Sequence, residues 1–385
     1  MEEQIKIPCV IYRGGTSKAV FVKENDLPRE SVTRDTIIRA IMGGGDKREI
    51  DGLGGADILT SKFAIIGPAS RDDADIDYTF AQVGIEKPWV SYELNCGNIS
   101  SATGPYAIEE GFVRALEPIT RVRVHNTNTR KVLVNEVPVR DRKPAVEGDY
   151  SIDGVPGTGV KIMLDYSETW GTLGGEVLPT GNVRDKLKIK NLGEIAVSIV
   201  DIANPTVFVK AEELGLKGTE LPGDFSGGIN SREIEQVELI REAAWKLIGM
   251  KVGTVIPFFV VVGNPASYRS FTTSESISAK DVSFVARHVG RALAPTGMHK
   301  AYAGTGSVST SVAAMIEGTV VSDVCSDEAK ETKIVRIGHP SGTIDVEAEI
   351  EKLGGSWNVR RVAYGRTARR ILEGYVYVRR SIFER

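Results

Sequence analysis

Cys96 occupies a position in this 385-residue chain that would make a thiol reactive. It stands between Asn95 and Gly97 in the stretch NCGNISSATGPYAIEEGFV, directly before a segment with helical character. A helix N-terminus leaves backbone N–H groups unpaired and lowers the pKa of a nearby thiol. We therefore expect Cys96 to give or take a proton in catalysis. The alternative is a packed small residue.

Lys62 is the candidate partner of Cys96. It begins the strand-like run KFAIIG, where a solvated lysine is not expected. Desolvation lowers the pKa of an amine toward the range in which general acid–base catalysis is efficient. The alternative is a lysine that extends its ammonium group from the strand into solvent. We expect one of the two residues to act as base and the other as acid, without assigning the order.

The composition excludes several classes of protein. Hydrophobic residues make up 41% and charged residues 26%, which is typical of a globular chain, and the length suits two domains. The net charge of −3 provides no basic surface for nucleic acid or an anionic membrane. The N-terminus does not resemble a signal peptide, and the longest apolar run, 255–262, is far shorter than the roughly 20 residues of a membrane helix.

The cysteines favour a reducing compartment. Cys9, Cys96 and Cys325 lie far apart, without a CxxC motif or a cluster of cysteine and histidine. Neither a disulfide framework nor a metal site is predicted, and Cys9 and Cys325 are expected in the core. We expect a cytoplasmic protein. The sequence does not decide between a monomer and a homo-oligomer.

Three segments of the first half recur in the same order in the second half. The pairs are VFVKENDL (20–27) with VFVKAEEL (207–214), KFAIIG (62–67) with FFVVVG (258–263), and CGNISSATGPYAIEEGFV (96–113) with AGTGSVSTSVAAMIEGTV (303–320). In the last pair the identical positions include Gly97/Gly304 and Ser100/Ser307. The repeat predicts two similar halves. Residues 1–185 carry Lys62 and Cys96, and residues 186–385 carry the Gly-Thr-Gly helix start, with the last residues able to pack back on the first half.

The local patterns predict an α+β fold. Strand-like runs are rich in β-branched residues, and segments 31–42 and 231–249 have helical spacing behind a serine cap. The repeated element at 97–110 and 304–317 has few charges, so it should be a buried helix. We therefore expect each half to be a curved β-sheet or barrel wrapped around a central buried helix.

The two helix starts predict an anion site. If the halves face one another, two partly positive helix ends would meet in the cleft between them and bind carboxylates. His299 stands shortly before the second helix and could bind a carboxylate or orient an acid, although it could equally be a hydrogen-bonded loop histidine. His125, His288 and His339 are expected to be structural. The predicted substrate-binding residues are Thr16, Ser17, Gly97, Asn98, His299, Gly304, Thr305, Gly306 and Ser307.

Several motifs together resemble the PrpF family, which has the diaminopimelate epimerase-like fold. They are YRGGTSK (12–18), IDGLGG (50–55), TSK (60–62), NCGN (95–98) and DIANP (201–205). The family includes 2-methylaconitate isomerase, 4-oxalomesaconate tautomerase and methylitaconate Δ-isomerase, and the chain length is most similar to the last. The resemblance covers essentially the whole chain and also marks Lys62 and Cys96 as catalytic.

The resemblance implies a cofactor-independent allylic isomerase. Such an enzyme moves a C=C bond by 1,3-proton transfer in a small unsaturated di- or tricarboxylate. Epimerases of this fold use two facing cysteines, but Ala303 stands at the second position here, which disfavours an epimerase or racemase. A carboxylate-binding accessory protein without catalysis is a further alternative, disfavoured because binding alone needs no reactive thiol.

Overall fold

The structure is a computed structural model that describes residues 2–173, 175–250 and 256–383. The chain forms two compact units. The first comprises the residues up to Leu164 together with those from Arg366 onward, and the second is Asp165–Gly365. The boundary predicted near residue 185 falls inside the second of these units. Among the described residues, no helix has the length and apolar character needed to cross a membrane.

Strands outnumber helices in the described residues. The strands are β1 (Gln4–Gly14), β2 (Ser17–Lys23), β3 (Lys62–Pro68), β4 (Ile76–Val83), β5 (Val90–Ser91), β6 (Ile119–Asn126), β7 (Lys131–Arg140), β8 (Lys143–Pro144), β9 (Ile162–Asp165), β10 (Asp185–Ile189), β11 (Gly193–Val200), β12 (Thr206–Lys210), β13 (Phe258–Gly263), β14 (Tyr268–Arg269), β15 (Ser276–Ile277), β16 (Phe284–His288), β17 (Ile334–His339), β18 (Gly342–Leu353), β19 (Ser356–Arg366) and β20 (Ala368–Arg379). The α-helices are α1 (Ser31–Met42), α2 (Gly97–Glu109), α3 (Arg232–Leu247), α4 (Gly304–Met315) and α5 (Asp327–Thr332).

The two units share one strand plan. In the first unit the neighbours run β20, β1, β2, β3, β4, β6, β7 and β8. In the second they run β10, β11, β12, β13, β16, β17, β18 and β19. Successive pairs are antiparallel, antiparallel, parallel, antiparallel, parallel, antiparallel and antiparallel in both. The C-terminal strand β20 therefore takes in the first unit the place that β10 takes in the second.

A buried helix lies within each sheet. In α2 every residue from Gly97 to Ile108 is buried, and in α4 every residue from Gly304 to Ala314 is buried. The first helix packs against β1, β2, β6, β7, β8 and β20, and the second packs against β11, β12, β17 and β18. The prediction of a curved sheet around a central buried helix is confirmed.

The opposite face of each sheet is covered by an amphipathic helix. Apolar residues of α1 pack with β1, β2 and β3, and those of α3 pack with β10, β11 and β12. The predicted serine cap is right for α3, where Ser231 Oγ accepts from Ile234 N at 3.3 Å. It is wrong for α1, whose first residue is Ser31. There the longer side chain of Glu30 reaches two N–H groups, those of Val32 and Thr33, at 2.9 and 2.6 Å.

We predict that Gly104→Ala destabilises the first unit. A β-carbon at Gly104 would meet Val137 Cγ2 at 2.7 Å and Asn135 Cβ at 2.8 Å, and Asn135 is held in place by two hydrogen bonds to α2. Overpacking of this kind lowers the free energy of unfolding by about 1–3 kcal/mol. Urea unfolding measures it. The matched control is Gly306→Ala in α4, where the nearest atom is 3.4 Å away and no loss is expected. Equal effects of the two substitutions would contradict the prediction.

Candidate active site

Lys62 begins β3 and is buried between two neighbouring strands. It lies opposite Ala19 of β2 and Gln82 of β4 in the register of the sheet. Its side chain donates a hydrogen bond from Nζ to Gln82 Oε1 at 2.7 Å, and the residue is only 6% exposed. Gln82 is oriented in turn by donating from Nε2 to Ser61 O at 2.9 Å. The alternative of a lysine that reaches solvent is therefore excluded.

Burial and neighbouring groups shift the pKa of Lys62 in opposite directions. Burial, the larger cause, lowers its pKa, because the ammonium form loses its hydration. Electrostatic interactions with Cys96 and Asp57 act to raise the pKa again. Lys62 thus interacts electrostatically with Cys96, and the role of the two residues in proton transfer stays a prediction. A lysine with a lowered pKa is better able to lose and regain a proton near neutral pH.

Cys96 is the N-cap residue of α2. It has extended backbone angles (φ −101°, ψ 100°), is 8% exposed, and its thiol makes no capping hydrogen bond to the helix. Its carbonyl oxygen accepts from Ser100 N at 2.9 Å, which begins the helical ladder. The thiol therefore lies at the partly positive end of a buried helix, without competing for that helix's N–H groups.

Asn98 ties the start of α2 to the turn between β1 and β2. Its Oδ1 accepts from Thr16 N at 3.4 Å and from Arg366 Nε at 3.1 Å, and its Nδ2 donates to Thr16 Oγ1 at 3.1 Å. The turn needs glycine, because Gly15 has φ +52° and a β-carbon there would lie 2.2 Å from Asn98 Oδ1. Two positions after Gly15, the Oγ of Ser17 is buried without a hydrogen-bond partner among the described residues.

The glycine-rich motif 50–55 surrounds a buried carboxylate. Glu49 Oε2 accepts from Ser61 Oγ at 2.6 Å and from Ala56 N at 2.7 Å. A β-carbon on Gly54 would lie 2.2 Å from the same oxygen, so only glycine fits against it. Ser61 directly precedes Lys62, and its carbonyl oxygen also accepts from Gln82 Nε2. The Glu49 carboxylate therefore helps to position the start of β3, which carries Lys62.

The start of α4 in the second unit is built in a similar way. Asn204, from the DIANP motif, donates from Nδ2 to Thr305 Oγ1 at 2.8 Å, so a turn before β12 holds the helix start. Ser307 Oγ donates back to Gly304 O at 2.7 Å. The N-cap residue is Ala303, which has no side-chain acceptor for the helix N–H groups.

His299 belongs to the second unit and has a defined tautomer. Its Nδ1 accepts from Ala301 N at 3.1 Å, so the neutral ring carries its proton on Nε2. Its ring stacks at 5.8 Å on His288, which in turn lies 4.4 Å from the ring of Phe258. Burial, followed by electrostatic interactions with His299 and Arg241, lowers the pKa of His288 well below its ordinary value. His288 is therefore neutral, as expected for a structural histidine.

The other two cysteines lie in the core. Cys9 and Cys325 are buried free thiols. Burial raises the pKa of Cys9, and it raises that of Cys325 to about 11. Both thiols are therefore protonated at neutral pH, in agreement with the prediction that they only pack.

Matching positions of the two units carry different residues. The parallel pair β2–β3 places Ala19 beside Lys62, and the parallel pair β12–β13 places Thr206 beside Phe258. Cys96 caps α2, and Ala303 caps α4. The fold is repeated, but the second unit has Phe258 and Ala303 at the positions where the first unit has Lys62 and Cys96.

Sequence reasoning missed four residues around the pair: Glu49, Asp57, Gln82 and Arg366. Gln82 left a signal, because it is a polar residue in the otherwise apolar strand end FAQV. Glu49 stands just before the glycine-rich motif, which hints at a close approach. Nothing in the sequence links Arg366 to Asn98, which lies 268 positions earlier.

Comparison with known proteins gives a consistent result. A family model described as PrpF protein matches residues 4–379. The 3-methylitaconate isomerase of Eubacterium barkeri is 48% identical over 389 residues, covering 99% of each chain. The crystal structure of a methylitaconate-delta-isomerase, 47% identical, has a TM-score of 0.82 and covers 99% of this chain and 98% of that one. A hydroxyproline epimerase from Agrobacterium vitis, 11% identical, has a TM-score of 0.54 and covers 97% and 93%. These matches confirm the predicted fold.

The lowered pKa of Lys62 predicts a specific pH dependence of stability. Below its folded pKa the lysine is charged in both states, and the folded state bears the full cost of burying it. The cost disappears as pH rises toward about 10.4, where unfolded lysines lose their proton. Wild type should therefore gain stability relative to Lys62→Met as pH rises from 7 to 10, by about 1.4 kcal/mol for each unit of pKa shift.

Urea unfolding of both proteins across this pH range tests the prediction. The lost hydrogen bond to Gln82 shifts the whole curve of the variant but does not change its slope with pH. Lys18→Met, at a partly exposed position of β2, serves as the reference for removal of one positive charge. Parallel curves for wild type and Lys62→Met would show that the amine is not destabilised by burial.

Proposed function

The chain belongs to the PrpF family, and from this premise we propose that it is an isomerase that shifts a C=C bond in a small unsaturated dicarboxylate such as methylitaconate. One observation supports the proposal above the others. Lys62 and Cys96 are both buried in the first unit and interact electrostatically, at positions where the second unit has Phe258 and Ala303. The repeated fold does not require either residue, so their presence points to chemistry.

The reaction needs a base, an acid and a stabilised anion. The base removes an allylic proton, the electrons spread into a dienolate, and the acid returns a proton two carbons away. The double bond moves by one carbon and no atom is gained or lost. Because the carbon acid is weak, the anion must be stabilised where its charge develops, and N–H donors fixed in advance contribute several kcal/mol in such sites. The start of α2 supplies such donors beside Cys96.

Lys62 and Cys96 fit the two proton-transfer roles together. The reaction is reversible, so the residue that acts as acid in one direction acts as base in the other. The pair therefore needs one proton to exchange, held on the amine or on the thiol. Burial of Lys62 brings its pKa toward the range of a thiol, which makes both arrangements accessible.

The carboxylates need their own ligands. Ser17 Oγ is a buried hydroxyl without a protein partner among the described residues, so it is available to a substrate carboxylate. Thr16, Gly97 and Asn98 lie beside it in the first unit. In the second unit His299, Gly304, Thr305, Gly306 and Ser307 stay predicted carboxylate ligands.

An epimerase is the less favoured function. The fold is shared with a hydroxyproline epimerase, so the fold alone does not separate the two activities. A symmetric epimerase needs a second proton-transfer group at the matching helix start, and Ala303 has none. We also propose a cytoplasmic location, because Cys96 must remain a free thiol to act as acid or base.

Exchange of substrate protons with solvent tests the proposed function. Methylitaconate, 2-methylaconitate and oxalomesaconate are each incubated with the protein in D₂O and followed by proton NMR. We expect methylitaconate to isomerise, with deuterium entering both ends of the allylic system. Exchange at a stereocentre without double-bond migration would support an epimerase instead. Binding without exchange of any substrate would support the accessory role.

Cys96→Ser should reduce turnover by a factor of about 10³ or more, because a serine hydroxyl is a far poorer acid or base at neutral pH. Lys62→Met should have a similar effect. Binding of a saturated dicarboxylate, measured by calorimetry, should survive in Cys96→Ser because the helix N–H groups remain. Turnover close to that of wild type in either variant would exclude that residue as a proton-transfer group.

Ser17→Ala should separate binding from stability. The hydroxyl has no partner to lose, so the free energy of unfolding should not fall. A hydrogen bond to a charged group is worth about 1.5–3 kcal/mol, so KM should rise roughly 10–100-fold with a smaller change in kcat. Thr16→Val is the matched control, because it breaks a hydrogen bond to Asn98 and should reduce stability as well. An unchanged KM in Ser17→Ala would remove Ser17 from the carboxylate site.

A further inference from the structure

Gln82 of β4 is the side chain that accepts a hydrogen bond from the amine of Lys62. Lys62 Nζ donates to Gln82 Oε1 at 2.7 Å, and the two residues lie opposite each other in the antiparallel pair of β3 and β4. Gln82 is only 3% exposed, so its amide lies in the interior with the lysine. Lys62 Nζ also lies 5.2 Å from the centroid of the Phe80 ring, in a cation–π contact. The amine is thus in contact with two neutral side chains of the same strand.

The amide of Gln82 can face Lys62 only with its oxygen. Its nitrogen, Nε2, donates to Ser61 O at 2.9 Å and makes a longer contact of 3.5 Å with Ile58 O. Both partners are backbone carbonyl oxygens, which accept hydrogen bonds and cannot donate them. Turning the amide over would place its oxygen against these two oxygens and its NH₂ group against the amine. The backbone therefore fixes Gln82 as an acceptor for Lys62.

The carbonyl group that orients Gln82 is itself held in place. Ser61 O accepts from Val83 N at 3.1 Å as well as from Gln82. Ser61 Oγ donates to the carboxylate of Glu49 at 2.6 Å. A series of contacts thus leads from Glu49 through Ser61 and Gln82 to Lys62, and all four residues are buried. The position of the acceptor is therefore set by a buried network.

The matching positions of the second unit carry no such amide. Phe258 takes the place of Lys62, and the residue before it is Pro257, which has no hydroxyl to bind a carboxylate. The pair β13–β16 matches β3–β4, and its register, continued by two residues, places Gly290 opposite Phe258, where the first unit has Gln82. The unit without the lysine therefore has no amide at this position, which ties Gln82 to the lysine rather than to the fold.

We propose that Gln82 is a positioning residue for proton transfer: it holds Nζ of Lys62 through a neutral acceptor, so the amine is fixed in place in both of its protonation states. This inference rests on the proposed isomerase function. The neutral amine has two N–H groups and one lone pair, and the ammonium form has three N–H groups, so either form can donate one N–H to Gln82. The proton that Lys62 exchanges with the substrate is then carried at one of the two remaining positions of Nζ. A carboxylate in place of the amide would instead stabilise the ammonium form.

Two titratable groups besides Gln82's network act on Lys62. Cys96 is the N-cap residue of α2, and Asp57 lies in the loop before β3, where its Oδ1 accepts from Leu59 N at 2.9 Å. Both interact electrostatically with Lys62. A substitution of Gln82 removes neither group. A changed titration of Lys62 in such a variant therefore reports the loss of the amide.

Two substitutions of Gln82 should shift the titration of Lys62 in opposite directions. Gln82→Met removes an acceptor that stabilises the ammonium form, so the pKa of Lys62 should fall. Gln82→Glu places a carboxylate against the amine, so the pKa should rise by about one pH unit or more. NMR of protein labelled with carbon-13 in its lysine side chains measures the titration, and the Lys62 signal is the one absent from Lys62→Met. No shift in either variant, or shifts in the same direction, would overturn the proposal.

The rate of isomerisation tests the same role in the reaction. The kcat for methylitaconate should fall roughly 100-fold in Gln82→Met with little change in KM, because misplacing a reacting group by about 1 Å costs that much. The pH profile of kcat should move to lower pH in Gln82→Met and to higher pH in Gln82→Glu. Thr79→Val is the matched control on the same strand. It removes a hydrogen bond to Thr127 of 2.6 Å, and it should lower stability without moving the profile.

The two experiments distinguish this proposal from the proposed function. A wild-type protein that isomerises none of the three substrates would contradict the proposed function, and the NMR titration would still decide whether Gln82 controls the protonation of Lys62. An active wild type whose Gln82→Met variant keeps its kcat would contradict the role of Gln82 alone. Circular dichroism and urea unfolding confirm that each variant is folded.

Discussion

A helix without a polar face must be covered on all sides, and both units follow from this constraint. The helices α2 and α4 consist of small and apolar residues, and almost every one of them is buried. Several of their hydroxyls donate within the helix itself: Ser101 Oγ donates to Asn98 O at 2.7 Å and Thr310 Oγ1 donates to Gly306 O at 2.6 Å. A single sheet can enclose such a helix only by curving around it.

Burial of the helix determines where chemistry can occur. The first N–H groups of α2 lie deep in the unit, and the residue before them, Cys96, is buried with them. A partial positive charge is strongest where water is scarce. The same feature is present at the start of α4, so the fold provides it twice. What distinguishes the first unit is the pair of titratable side chains beside it.

Comparison of the two units indicates how the buried Lys62 affects the stability of the fold. At the matching position the second unit has Phe258, which packs on its neighbours without any charge to satisfy. The sheet thus accepts an apolar residue there, and a buried ammonium group is the less stable choice. The hydrogen bond to Gln82 and the electrostatic interactions with Cys96 and Asp57 offset part of this loss. A buried lysine that lowers the stability of the fold, and that is nevertheless hydrogen-bonded by Gln82, supports the proposed role of Lys62 in the reaction.

Local sequence patterns predicted the elements, and they failed where a distant residue decides the outcome. The buried helices follow from composition, and Lys62 is recognisable as one charge in an apolar run. The partner Gln82 depends on strand register, which local patterns do not reveal. Serine is a commoner cap than glutamate, but at the start of α1 the longer side chain of Glu30 reaches the N–H groups of Val32 and Thr33 from the position before Ser31.

The segment that returns from the C-terminus holds both ends of α2. Arg366 contacts Asn98 at the helix start, and Arg370 donates to Glu109 at 2.8 Å and Glu110 at 2.7 Å at the helix end. Positive charge at a helix C-terminus is favourable, and these two carboxylates lie there. The contacts at the start of α2, beside Cys96, therefore include one from a residue 268 positions later than Asn98. The first unit therefore includes residues from both ends of the sequence, although the proposed proton-transfer pair lies within its first hundred residues.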